Sequence, residues 1–199
     1  QYFRQMPEDE VLGQMEAIEK TADRMRKIIV NLLDIFSLES GKFNLTIKHF
    51  DVGSVTASLV NDFRTRAAAK EIEIDFISPA ETIYVLADQN ATIEILENLI
   101  SNALKFLHRT GRISIRISKK EKYSAARLEV IDNGQGLADE DKPKLFGKFA
   151  RLSARPTGGE ESTGLGLYIV KKLVEAMNGR ISCESEFGKG SNFIVELPL

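Results

Sequence analysis

From Glu8 to Glu39 apolar residues fall at Met15, Ile18, Ala22, Met25, Ile29, Leu32 and Phe36, a strict alternation of three and four positions. That period draws one narrow seam along an α-helix. The charged flanks Glu16, Glu19, Lys20, Asp23, Arg24, Arg26 and Lys27 leave the other faces to water. Ser40-Gly41 supplies the stop. A seam this long asks for a helical partner, and no second long helix precedes it, so the partner is expected in a second copy or in chain beyond this sequence.

Past Gly41 the period drops to two. Phe43 to Phe50 alternates like a short strand, Asp51 can N-cap a helix running to about Lys70, and Glu71 to Ile77 and Thr82 to Leu86 alternate again on either side of Ser78-Pro79. Asp88 begins a helix with apolar positions Ile93, Leu96, Leu99, Ile100 and Ala103. Arg112 to Ser118 and Arg127 to Ile131 read as a strand pair across the polar Lys119 to Ser124 loop. A helix is expected around Asp139 to Phe146, another from about Gly164 to Met177, and strands at Arg180 to Ser185 and Asn192 to Leu197. Neighbouring strands are joined by short loops instead of alternating strictly with helices. The expectation is therefore an α/β two-layer sandwich, a mixed β-sheet with helices on one face, preceded by a long N-terminal helix. The joint is placed near residues 40–42, giving a helical arm over 1–41 and a globular domain over 42–199.

Composition narrows the function classes. The 199 residues are 43% hydrophobic and 28% charged, enough for an ordinary core, and no run approaches the roughly 18 apolar residues of a membrane span. Direct membrane insertion is not expected. Twenty-seven basic against 29 acidic side chains give a net charge of −2, too balanced for nucleic acid to be a main partner. The single cysteine, Cys183, can form neither an internal disulfide nor a cysteine zinc site, and no signal peptide is visible, which favours a cytoplasmic setting. The chain does not begin with Met, consistent with a fragment of a longer protein.

Chemistry concentrates late in the chain. Ten of the 14 glycines lie between Gly134 and Gly190. Thr163-Gly164-Leu165-Gly166-Leu167, running into a helix, offers open backbone N–H groups and a positive dipole end, which together suit phosphate. On the helix after Asp88, residues four apart stack, so Glu94, Asn98 and Asn102 form a polar ladder ending at Lys105 and Phe106. Its neutral amide oxygens suit Mg²⁺ and its lysine suits phosphate, and a plain solvated helix face has the same pattern. Asp132 ends an apolar strand and opens the Asn133-Gly134-Gln135-Gly136 turn, where a carboxylate can cap the turn or accept a hydrogen bond from the exocyclic amine of a base. No Gly-x-x-x-x-Gly-Lys-Ser/Thr stretch is present, which excludes a P-loop by motif.

In this order the segments resemble the catalytic, ATP-binding domain of sensor histidine kinases within the GHKL superfamily. Asn98 to Phe106 is similar to the N box, Asp132 to Gly136 to the first glycine box, Phe146 to Phe149 to the F box, Thr163 to Leu167 to the second glycine box and Gly188 to Gly190 to the third. The arm resembles the second helix of the dimerisation and phosphotransfer hairpin. The resemblance implies that Asn98 coordinates Mg²⁺, that Asn102 and Lys105 hold the phosphates of ATP, that Phe106 covers the adenine and that Asp132 accepts its amine. It also implies that the Gly134, Gly136 and Thr163 to Leu167 backbone borders the nucleotide, that Arg151 reaches the γ-phosphate, and that Ala150 to Thr163 forms an ATP lid. Glu94 stands where gyrase-type relatives carry a general base for water; a solvent-facing acid is the plain alternative.

The implied function is transfer of the γ-phosphoryl group of ATP to a His on the hairpin, for relay to a response-regulator receiver domain. The implied assembly is a homodimeric parent protein, with membrane anchoring of that parent left open. The acceptor His is missing here: His49 and His108 do not match its motif, so this chain is expected to bind Mg-ATP without phosphorylating itself. The alternative is a kinase-like module that binds nucleotide for conformational control without transfer.

Overall fold

The computed structural model describes residues 7–41, 44–120, 124–150, 152–157 and 163–199. The chain divides into two compact units, Gln1–Phe43 and Asn44–Leu199. The first is one helix, α1 (Glu8–Glu39), ended as its sequence dictates. The N–H of Ser40 reaches the Phe36 carbonyl at 3.0 Å, and Gly41 turns the chain away at φ +66°. Its seam lies open: Met15, Ile18, Met25, Ile29 and Phe36 are each more than half exposed.

The second unit is a two-layer α/β sandwich. Its main sheet has five strands in the order β2-β4-β5-β7-β6, formed by Glu73–Ile77, Arg112–Lys120, Ala125–Asp132, Gly190–Pro198 and Arg180–Glu186. The β2–β4 pair is parallel and the rest are antiparallel, so the sheet is mixed, as expected. Alternation assigns the two faces. Ile113, Ile115 and Ile117 of β4 and Ala126, Leu128 and Val130 of β5 are all buried. Against this face pack α2 (Val52–Ala68), α3 (Gln89–Phe106) and α4 (Gly166–Ala176). The opposite face carries ion pairs such as Arg112 with Glu73 at 2.8 Å and Arg127 with Glu129 at 3.1 Å. A sheet with helices on one side requires this asymmetry.

Three expectations need correction. The first expected strand begins only at Lys48: β1 (Lys48–Asp51) extends as far as β3 (Tyr84–Ala87) pairs with it, and Phe43 lies outside the described residues. The runs on either side of Ser78-Pro79 are not neighbours. β3 joins β1 in a separate two-stranded sheet, while β2 pairs in parallel with β4, which needs the long crossover that α3 provides. The helix expected around Asp139 to Phe146 is reduced to a 3-10 turn, Lys142–Lys144, because Pro143 has no N–H to donate.

Capping sets where α3 starts. The Asp88 carboxylate accepts from the N–H of Ala91 at 2.9 Å and, through its other oxygen, from the N–H of Thr46 at 2.7 Å. Asp88 is 8% exposed, so both donors would be stranded without it. Asp88→Ala is expected to cost about 2 kcal/mol, the combined scale of a lost N-cap and a second unpaired donor. The midpoint of urea unfolding measures this.

Candidate active site

Asp132 organises one end of the sandwich. It is the last residue of β5 and pairs across the ladder with Ile113 and Ser191. The two-residue period places its side chain on the inner face with Leu128 and Val130, toward the helices. It is 8% exposed, and one carboxylate oxygen accepts from the Gly134 N–H at 2.8 Å. Burial pushes its pKa above the usual 3.8, and the N–H groups of Gly134 and Ser191 offset part of the shift.

Around this carboxylate lies a cleft of about 460 Å³ of empty space, part of it open to solvent. Its walls are mostly apolar. Ala103 and Phe106 come from α3, Leu137 and Leu145 from the stretch after the first glycine turn, Leu152 and Ala154 from the segment over 152–157, Leu167 from α4 and Phe193 from β7. The polar groups in this wall are Asn102, Asp132, Gln135 and Ser191. An apolar slot ending in one acceptor fits a flat aromatic ring that carries an amine. Gly136 shapes the floor: its φ is +65°, and a β-carbon there would run into the Glu186 carbonyl, so no other residue fits without moving β6.

Of the residues expected at the site, Asn102, Phe106, Asp132, Gly136 and Leu167 line this cleft. Asn98 sits one turn earlier on α3. Its amide nitrogen donates to the Glu94 carbonyl at 3.0 Å, which turns Oδ1 outward as an acceptor. There it faces Gly166, whose β-carbon, if present, would lie 2.8 Å from Oδ1. The start of α4 therefore meets the N-box helix only because residue 166 has no side chain. The start of α4 beside Asn98 has no side-chain cap hydrogen bond. Lys105, in the last turn of α3, and Glu94 are half-buried, so the ladder is not a fully solvated face. Leu165 is fully buried, Thr163 Oγ1 accepts from the Leu165 N–H at 3.4 Å, Gly164 turns at φ +70°, and Arg151 lies outside the described residues.

Sequence reasoning missed the apolar wall of Leu137, Leu145, Leu152, Ala154 and Phe193. Phe193 was legible as an inward position of its strand; the others stand in irregular backbone with no period to read. Cys183 is half-buried, and burial first, then the Asp132 charge, pushes its thiol up to about 12, so it is a packing residue and not a nucleophile at neutral pH.

The family profile described as histidine kinase-, DNA gyrase B- and HSP90-like ATPase matches residues 87–199, more than half of the chain. The chain belongs to this family. It is 34% identical over 196 residues to the sensor histidine kinase GacS of Pseudomonas protegens, covering 94% of this chain and 21% of GacS. It spans similarly small shares, 12 to 24%, of other curated relatives it matches. Among solved structures, full-length ShkA in complex with AMPPNP superposes with a TM-score of 0.80 at 28% identity, over 95% of this chain and 39% of that one. The kinase ThkA in complex with the response regulator TrrA gives 0.76 at 22% identity, over 98% and 53%, a likeness of fold. The globular unit is the ATP-binding catalytic region of the histidine kinase type.

The resemblance implies that Asp132 accepts the adenine amine, and on that expectation its titration sets a pH limit. A carboxyl whose pKa is higher in the folded state costs stability wherever it is ionised. The cost is complete above the folded value and disappears below the unfolded one, near 3.8. Asp132→Asn should therefore leave the thermal midpoint at pH 7 unchanged or raised, while lowering ATP affinity by roughly tenfold or more for the lost charged acceptor. In wild type, ATP affinity should begin to fall on acidification at a pH above 3.8. Calorimetric titration across pH checks both.

Proposed function

We propose that this chain is the nucleotide-handling part of a sensor kinase that moves the γ-phosphoryl group of ATP to a histidine on a helical hairpin, from which a response-regulator receiver domain takes it. The observation that carries the reading is the meeting of the Asn98 amide oxygen with the uncapped start of α4 at Gly166, next to a cleft closed by the buried Asp132.

In this reading Asp132 accepts the adenine amine and Phe106 covers the ring. Asn102, Lys105 and the α4 backbone from Gly164 to Leu167 hold the phosphates, and Arg151 approaches the γ-phosphate. The donor set fits Mg²⁺: a neutral amide oxygen whose nitrogen is already committed to Glu94 is a hard ligand, and the space before it is kept clear by Gly166. When bound, Mg²⁺ supplies positive charge to the phosphate oxygens. Phosphoryl transfer depends mainly on positioning and charge stabilisation, which is why the cleft needs no protein nucleophile. Glu94 is the candidate to orient water in slow hydrolysis.

The acceptor lies elsewhere. His49 sits in β1 followed by Phe50, and His108 follows the end of α3 and precedes Arg109; both are exposed, and neither is in a helix or followed by an acidic residue. The open seam of α1 supports pairing with the missing hairpin helix and with a second copy in a homodimeric parent. No helix among the described residues is long and apolar enough to cross a membrane. ATP as substrate and a lone unpaired thiol support a cytoplasmic site of action for a parent anchored or not.

Titration with ATP in the presence and absence of Mg²⁺ tests the assignment. Asn98→Ala should abolish most of the enhancement by Mg²⁺ while retaining weak metal-free binding. Equal Mg²⁺ dependence in wild type and variant would remove Asn98 from the site. Incubated alone with labelled ATP, the chain should acquire no acid-labile phosphate.

A further inference from the structure

The outer wall of the cleft is irregular backbone, yet it is held in place. Leu152 and Ala154 line the cleft, and the residue between them, Ser153, turns away to Asp141. One Asp141 carboxylate oxygen accepts from the Ser153 N–H at 2.8 Å and from its hydroxyl at 2.5 Å. Asp141 is 7% exposed, so this carboxylate depends on those donors. Its own backbone is anchored, donating to Ala138 and accepting from Lys144 at 3.0 Å each, and the same turn carries the buried, cleft-lining Leu145. The Ser153 hydroxyl and N–H, with Lys144 nearby, hold the Asp141 carboxyl below the usual carboxylate range.

We propose that Asp141 is a positioning residue for nucleotide retention: it clamps Ser153 and so holds Leu152 and Ala154 as the outer apolar wall over the ring. The chain bends at Ser153, which is exposed while its two neighbours are half-buried, so pinning the middle residue holds the flanking pair on the cleft side. The rest of the segment is tied more weakly, by neutral bonds. Gln135 donates to the Arg155 carbonyl at 3.1 Å, and the Thr157 hydroxyl donates to the Leu107 carbonyl at 2.5 Å. Asp141 supplies the one charged acceptor among these ties, and charge-assisted bonds are the stronger kind. The role rests on the nucleotide reading of the cleft, but it is separable from binding of the purine edge, which belongs to Asp132.

Stopped-flow release of a fluorescent ATP analogue tests it in Asp141→Ala, Ser153→Ala, Ser153→Thr and the double alanine variant. Asp141→Ala should speed release roughly tenfold, the scale of a lost pair of bonds to a charged group. Ser153→Ala, which keeps the backbone donor, should speed it less, and Ser153→Thr should restore the wild-type rate. The double variant should match Asp141→Ala alone, because both remove the same clamp. Preference for ATP over GTP should stay unchanged in all of them, which general unfolding would not allow. Without nucleotide, the Ser153 amide should lose its protection from hydrogen exchange in Asp141→Ala. Unchanged release in both single alanine variants, or additive effects in the double, would overturn the role while leaving the site intact. Wild type that bound no nucleotide would overturn the site reading and this role with it.

Discussion

One constraint governs the catalytic unit: a carboxylate must stay ionised while facing the inner, apolar side of a sheet. Asp132 occupies a position that alternation assigns to the core, one step beyond Val130, at the end where sheet and helices part. Two backbone N–H groups, of Gly134 and Ser191, keep the charge tolerable without satisfying all its acceptor capacity. The remaining capacity is what a ligand with an amine edge would use. Moved two residues inward the carboxylate would have no access to ligand; moved one residue on, it would leave the core face.

The neighbouring elements serve that arrangement. The turn after Asp132 must double back tightly enough for Gly134 to reach the carboxylate and for Gly136 to pass the β6 carbonyl at Glu186, so glycine is required by contact as well as by backbone angle. On the other side, α3 and α4 approach closely because Gly166 lies against Asn98. A side chain there would separate an amide oxygen from the helix start beside it. The cleft at Asp132 and the meeting of α3 with α4 are thus two joints about one helical turn apart on α3, marked by Asn102 and Asn98.

Much of this was legible in the chain. Where one face is buried and the other wet, periodicity reports the element directly, as in α3, β4 and β5, and Asp51 and Asp88 marked their helix starts through a carboxylate accepting from a backbone N–H of the first turn. Topology was less legible. Nothing local in Glu73–Ile77 distinguishes pairing with β3 from pairing with β4, since the choice is made by the crossover through α3 and by packing of Val85 and Ala87 beneath the second sheet. The helix expected over Asp139 to Phe146 failed for another reason: the stretch carries no apolar period, and Pro143 limits it to a single 3-10 turn. Asn98, Asn102 and Asp132 could be named from type and order. The clamp on Ser153 could not, because Asp141 and Ser153 stand twelve residues apart in irregular backbone and only folding brings them together.

The cleft therefore has two walls of different physical character. Ala103, Phe106, Leu167 and Phe193 belong to helices and a strand whose other faces form the core, so their positions are maintained by the same burial that stabilises the unit. Leu152 and Ala154 belong to no such element and depend on a few polar bonds, chief among them those to the buried Asp141 carboxylate. A wall held by burial cannot move without partial unfolding, whereas one held by the Asp141–Ser153 bonds and by the ties at Arg155 and Thr157 can release at the cost of those bonds. Such a division lets a binding site keep its recognition geometry fixed while exchange of ligand is governed at the other side.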